Sequence, residues 1–226
     1  MKFDALIIGS GPGGAVAALI LARAGWSVAV VEKSRFPRQK VCGEFVSATN
    51  LPLLRQLGVA DTFNELAGPE VSHVAVYAGE TVLASAMPQP LSSAGPSAAA
   101  WGRALGRDQL DTLLLTRAAM AGATVYQPWS AIELRRAEDG FYCQIAAREL
   151  PETQELHAPI VIAAHGSWES GPLPTQVAKM PLLPGDLFGF KARFRESPLP
   201  NGTMPLLVFP GGYGGMVHTD GGRVSL

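Results

Sequence analysis

Phe3-Asp4-Ala5-Leu6-Ile7-Ile8-Gly9-Ser10-Gly11-Pro12-Gly13-Gly14 follows Met1 and Lys2 at the start of the chain. The first half is a short, continuous apolar run, the pattern of a strand buried on both faces. The second half matches G-x-G-x-x-G at Gly9, Gly11 and Gly14. An alanine-rich segment, Ala15 to Ala24, has helical spacing and meets no breaker before Gly25. Ser27-Val28-Ala29-Val30-Val31 is a second buried strand and ends on Glu32. Strand, glycine turn, helix, strand and acid in that order predict a dinucleotide-binding βαβ unit.

Each position has a mechanical reason. Gly9 lets the strand turn sharply, Gly11 lets the backbone approach a pyrophosphate, and Gly14 lets the helix pack closely on the sheet. Pro12 and Gly13 complete the turn, and the helix N-terminus offers free N–H groups and a positive dipole end to phosphates. Glu32 is placed to accept hydrogen bonds from ribose hydroxyls, and its charge disfavours a 2′-phosphate, so the site prefers FAD or NAD to NADP. A glycine-rich turn in an unrelated α/β protein is the alternative.

The chain has 226 residues, of which 47% are hydrophobic, and a formal net charge of −1. That composition suits a globular protein with a sizeable core and two lobes. The near-neutral charge carries no footprint of nucleic-acid binding. No apolar run approaches a membrane span, and the N-terminus lacks a signal-peptide layout. Two cysteines, Cys42 and Cys143, make no disulfide framework, so the expected setting is the cytoplasm. No metal site and no obligate protein partner are inferred.

Beyond Glu32 a basic loop contains Lys33, Arg35, Arg38 and Lys40 and tightens at Cys42-Gly43-Glu44. Its position lets Lys33 and Arg38 meet a pyrophosphate or line the path to a cofactor, although a solvated basic loop reads equally well. Ser47 to Leu57 predicts a helix capped by Gly58. Val71 to Tyr77 and Thr81 to Met87 predict a hairpin turning at Gly79-Glu80. Pro88 to Ala100 reads as a loop. Arg107 to Ala121 predicts a long helix, and Ala123 to Tyr126 a strand returning to the parallel sheet. Trp129 to Leu134, Phe141 to Ala146 and Glu155 to Ala164 predict a β-meander, whose end, Ile160 to Ala164, reads as buried. Phe188 to Phe194 and Pro205 to Phe209 predict strands of a second lobe. The chain ends on a strand-like Gly221-Gly222-Arg223-Val224-Ser225-Leu226, and truncation is the expectation.

These residues resemble the FAD-dependent oxidoreductases of the p-hydroxybenzoate-hydroxylase fold, and within them the geranylgeranyl reductase, FixC-like and flavin-dependent halogenase group. The resemblance is carried by the glycine turn with Glu32; by Phe36-Pro37-Arg38-x-Lys40-x-Cys42-Gly43-Glu44; by Arg107-x-x-Leu110-Asp111-x-x-Leu114; by the strand ending at His165-Gly166-Ser167; and by Phe209-Pro210-Gly211-Gly212-Tyr213-Gly214. It implies an α/β fold: a Rossmann-like FAD-binding domain, with parallel sheet and meander, over 1–70 and 99–170. An incomplete antiparallel-sheet substrate domain would cover 71–98 and 171–226.

The resemblance also implies roles. Gly9, Gly11, Pro12, Gly13 and Gly14 would hold the FAD pyrophosphate and Glu32 the adenosine ribose. Arg107 would reach the flavin cofactor, the backbone at Ser130-Ala131 would face adenine, and Cys42, Gly43 and Glu44 would approach the flavin ring or ribityl chain. His165 stands where the family usually has Asp, and packing is the better reading for it. The family's later Gly-Asp motif is absent up to Leu226. The expected activity is hydride transfer between flavin and a hydrophobic small molecule, with NAD(P)H as a transient reductant and Cys42 as the candidate catalytic side chain; a small packed cysteine is the alternative for Cys42. A monooxygenase forming a flavin hydroperoxide, and a nucleotide-binding module without catalysis, are the alternative functions. A tryptophan-type halogenase is disfavoured, because Trp26, Trp101, Trp129 and Trp168 form no W-x-W-x-I-P signature.

Overall fold

The computed structural model describes residues 1–88 and 101–226, so most of the expected Pro88 to Ala100 loop lies outside the described residues. In chain order the first elements are β1 (Ala5–Ile8), α1 (Pro12–Arg23), β2 (Val28–Val31), β3 (Phe45–Val46), α2 (Leu51–Leu57) and α3 (Ala60–Leu66). Next come β4 (His73–Ala78), β5 (Thr81–Ala86), β6 (Arg103–Ala104), α4 (Arg107–Met120) and β7 (Thr124–Tyr126). The meander follows as β8 (Trp129–Ala137), β9 (Gly140–Ala147) and β10 (Thr153–Ala158), then β11 (Ile160–Ala163). The last are β12 (Arg193–Phe194), β13 (Thr203–Phe209), β14 (Gly212–Gly215), β15 (Val217–His218) and β16 (Val224–Ser225).

The chain forms two compact units, residues 1–38 with 108–186 and residues 39–107 with 187–226. Residues 39–70, which the sequence groups with the nucleotide unit, pack within the second. Among the described residues no helix is long and apolar enough to cross a membrane.

The first unit is built on a parallel sheet in the order β11-β1-β2-β7. All eight residues of β1 and β2 are buried, as their unbroken apolar runs require. Leu6, Ile8, Ala29 and Val31 pack on Cys143, Ile145 and Leu156 of the meander. Alternation turns Ala5, Ile7, Val28 and Val30 to the opposite face, where α1 packs. That helix buries Gly14, Ala15, Ala18 and Leu19, mostly small residues that permit a close approach to the sheet.

Two expectations are corrected here. The run Glu155 to Ala164 is not one strand: Pro159 divides it into β10, antiparallel to β9, and β11, parallel to β1. Proline lacks the N–H that a continuous ladder would use. Nor is Ile160 to Ala164 fully buried, because β11 is a sheet edge and Ile160 is 43% exposed.

In the second unit, the helix expected over Ser47 to Leu57 is a short 3₁₀ turn, Ala48–Asn50, leading into α2. Gly58, at φ 70°, ends α2 in the left-handed conformation that glycine adopts freely. The hairpin β4–β5 forms as its turn residues predict. Its sheet, in the order β14-β13-β4-β5, is mixed rather than purely antiparallel, since β13 runs parallel to β4. Of the strand expected over Phe188 to Phe194, only its end pairs among the described residues: β12 with β16, and Ala192 with Leu226 by two backbone hydrogen bonds; Phe188 and Phe190 are exposed. Val71, Ala104 and Val217 form a small core with Phe45 and Met204 packed against it.

Candidate flavin-nucleotide site

The glycine turn is shaped by its own backbone. Gly9 has φ 98°, and a Cβ there would lie 2.5 Å from the Ala164 carbonyl oxygen. A Cβ on Gly14 would lie 2.0 Å from the Gly9 carbonyl oxygen. Both glycines are therefore required to fold the unit. Gly13 differs: a Cβ there would meet nothing within 4 Å. The protein leaves that side of the turn open. Gly11 is the N-cap residue and Pro12 begins the helix, and no side chain caps this end. Its first N–H groups and the positive end of the dipole would suit an anion.

Glu32 ends β2 beside that turn and is 5% exposed. Its Oε2 accepts from Ser10 N and from Ser10 Oγ, both at 3.0 Å, and its Oε1 accepts from Ser34 N at 2.8 Å. The carboxylate is thus held next to the glycine turn by its own neighbours, with one acceptor site left on Oε1 for a hydroxyl donor. Ser10 is the variable residue of the G-x-G triplet, and its role depends on a contact to a strand that the motif does not encode.

Arg38 adds a cation at this place. Its Nη1 lies 3.0 Å from Asp111 Oδ2 and its Nη2 3.8 Å from Glu32 Oε2. Its guanidinium also stacks over the Phe36 ring, 4.6 Å from the centroid. Asp111, on α4, is fully buried. One guanidinium therefore serves two buried carboxylates, and its Nε has no hydrogen-bond partner among the described residues. That orphaned donor fits an anionic ligand. Asp111 was visible in the Arg107-x-x-Leu110-Asp111 motif, but its pairing with Arg38 was not.

The remaining expected residues take separate places. Lys33 forms an ion pair with Glu169. Trp129 N donates to the Glu32 carbonyl at 2.8 Å, so β8 starts at the end of β2. Ala131 lies on β8, the outer strand of the meander, next to an irregularity in its pairing between Ala131 and Glu133. His165 bonds locally, donating from Nδ1 to the Gly166 carbonyl (2.9 Å) and accepting at Nε2 from Thr175 Oγ1 (3.0 Å). Cys42, Gly43 and Arg107 belong to the second unit. There the Glu44 N–H donates to Cys42 Sγ (3.4 Å), and the Arg107 N–H donates to Glu44 Oε1 (2.8 Å). Cys143, by contrast, is buried in the first unit, and desolvation pushes its thiol pKa up to about 11.

An uncapped helix N-terminus, an open face at Gly13, a fixed carboxylate at the end of β2 and a guanidinium with a spare donor form a candidate nucleotide site of the Rossmann class. The FAD binding domain family matches residues 2–172, and the chain belongs to that family. Squalene monooxygenase of Mus musculus is 28% identical over 165 residues, 72% of this chain and 28% of that protein. Menaquinone reductase of Mycolicibacterium smegmatis is 29% identical over 139 residues, 62% of this chain and 32% of that protein. Among solved structures, a myxobacterial chondrochloren halogenase, described as FAD-dependent, shares the fold with a TM-score of 0.76 at 18% identity, over 99% of this chain and 52% of that one. The chain thus spans about a third of these curated relatives and about half of that structure.

Proposed function

We propose that this chain supplies the FAD site, and part of the substrate-facing surface, of a flavin-dependent oxidoreductase acting on a hydrophobic small molecule. The observation that carries the reading is the Glu32 carboxylate, fixed by Ser10 and Ser34 beside the uncapped N-terminus of α1. Bound FAD would supply two-electron hydride chemistry, which side chains alone do not offer. Gly9, Gly11, Pro12, Gly13 and Gly14, with the N–H groups of α1, would hold the pyrophosphate. Glu32 would accept from the ribose hydroxyls, Arg38 and Lys33 would add positive charge, and the outer edge of β8 at Ala131 would take adenine.

Cys42, Gly43 and Arg107 are the proposed flavin-side residues of the second unit, with Cys42 the side chain offered for chemistry. The first unit would carry the nucleotide and the second the substrate. NAD(P)H is the proposed reductant. Two relatives named for squalene and menaquinone, both long apolar molecules, support a hydrophobic substrate, and the menaquinone reductase supports a reduction. The squalene monooxygenase likeness favours a flavin monooxygenase as a second reading.

The test is spectroscopic. The purified protein is incubated with FAD, freed of excess and scanned for flavin absorbance. The flavin is then reduced under anaerobic conditions and mixed with a menaquinone or with oxygen plus squalene. Reoxidation by the quinone supports a reductase, and a product carrying one added oxygen atom supports the second reading. Absence of retained flavin overturns both in favour of a nucleotide-binding module.

A further inference from the structure

Glu44 is an unusual residue in the second unit. Its backbone is left-handed, with φ 59°, and its side chain is fully buried. A non-glycine residue in that conformation and a carboxylate out of water are each unfavourable, and they persist only where the surroundings over-determine them. Here they do. Oε1 accepts from Arg107 N and from Arg193 Nη2, both at 2.8 Å, and pairs with Lys191 Nζ. The Glu44 N–H reaches Cys42 Sγ (3.4 Å), and its carbonyl accepts from Leu105 N (3.2 Å). Lys191 also donates to the Lys40 carbonyl at 3.2 Å, on the other side of the same turn. Both cations are largely buried, with side chains 7% and 11% exposed. The other oxygen, Oε2, is buried with no hydrogen-bond partner among the described residues.

One residue therefore joins three stretches of chain: the Lys40 to Gly43 turn, residues 105–107 at the start of α4, and residues 191–193 before and within β12. Gly43, inside the turn, has open space where a Cβ would go, so no side chain of its own anchors it. We propose that Glu44 is a positioning residue that fixes the Cys42–Gly43 turn against the first residue of α4, with Lys191 and Arg193 as its counter-charges. The consequence for flavin rests on the function proposed above, in which Cys42, Gly43 and Arg107 serve the cofactor. The positioning itself does not.

Cysteine alkylation tests it, because the two cysteines report different things. Cys42 sits in the turn. Cys143 is buried in β9 and opens only if the first unit unfolds. Wild type, Glu44→Gln and Glu44→Ala are treated with iodoacetamide, and each cysteine is followed by peptide mass. Glu44→Ala should raise the Cys42 rate about tenfold, the upper end of what loss of a restraining hydrogen-bond set gives. Cys143 should stay unreactive. Glu44→Gln keeps the volume and one acceptor but loses the charge that holds Lys191 and Arg193, so a smaller, several-fold rise is expected; it decides the matter if the alanine variant does not fold. An unchanged Cys42 rate in Glu44→Gln, or Cys42 and Cys143 rising together, would overturn the proposal. In protein reconstituted with FAD, Glu44→Gln should shift the flavin absorbance band. A wild type that retains no flavin would sink the functional reading and leave the alkylation result to stand alone.

Discussion

Replacing Glu32 separates what its carboxylate does for the fold from the role proposed for it toward the cofactor. In the unliganded protein it accepts two backbone N–H groups, from Ser10 and Ser34, and the Ser10 hydroxyl. Glu32→Ala leaves both N–H groups without an acceptor in a place where Ser10 is fully buried. A stranded buried donor costs about 1–3 kcal/mol, and water entering the vacated volume recovers part of it, so about 2–4 kcal/mol of stability should be lost. The ion pair between Arg38 and Asp111 remains, which keeps the residual charge balanced. Glu32→Gln is subtler. Its single amide oxygen can face Ser10 or Ser34 but not both, and the NH₂ then opposes an N–H, for a loss of about 1–3 kcal/mol. Urea denaturation of the apo variants reads these values. A titration with FAD reads the second effect: loss of charge-assisted bonds to ribose, about 1.5–3 kcal/mol, should raise Kd about ten- to a hundredfold. Apo variants as stable as wild type would refute the structural role of the carboxylate, and an unchanged Kd would refute its role toward ribose.

Further outcomes are expected. Gly14→Ala places a methyl 2.0 Å from the Gly9 carbonyl oxygen, with only backbone to yield, and should destabilise by about 3 kcal/mol or prevent folding, read by thermal melting. Asp111→Asn leaves Arg38 without its nearest buried counter-charge and should lose about 3 kcal/mol, while the charge-neutral pair Asp111→Leu with Arg38→Met should recover most of that in chemical denaturation of the apo protein. Glu44 titrates below the ordinary value of 4.5: burial acts to raise its pKa and is the largest single effect, but the bonds from Lys191, the Arg107 N–H and Arg193 together outweigh it. A carboxyl whose pKa is depressed on folding stabilises above its unfolded pKa and loses that contribution as pH falls through the folded value. The stability gap between wild type and Glu44→Gln should therefore be constant near neutral pH and shrink on acidification below the ordinary carboxylate range; a gap independent of pH would contradict the charged cluster.

Legibility in the sequence followed the range of the interactions. The first βαβ unit could be read because Gly9, Gly14 and the apolar runs act on near neighbours. The hairpin at Gly79-Glu80 was legible for the same reason. Glu155 to Ala164 was misread as one strand because local hydrophobicity does not name a partner: Leu156 belongs to the meander and Val161 to the parallel sheet, and the signal between them was Pro159. Phe188 to Phe194 looked like a strand, yet β12 pairs only where Val224 and Ser225 lie opposite. At the site, Glu32 was legible by its place after β2. Ser10, Ser34 and Asp111 were not, since each acquires its role from a contact made only after the chain has folded. Glu44 stood in the quoted motif, but its counter-charges Lys191 and Arg193 lie far along the chain, in the segment the sequence read as an ordinary strand.

Gly13 offers the most direct test of the flavin-nucleotide site, because the protein itself leaves space for a side chain there. Gly13→Ala is compatible with the first turn of α1 and should leave apo stability unchanged, or raised by up to about 1 kcal/mol from helix propensity. Under the proposed function, the added methyl would lie on the open side of the turn that takes the FAD pyrophosphate. Titrating FAD into wild type and Gly13→Ala, followed by flavin fluorescence, should give saturable binding in the first and clearly weakened binding in the second at matched apo stability. Equal affinity in the two proteins, or no binding by wild type, would contradict the assignment of this turn as the FAD pyrophosphate site.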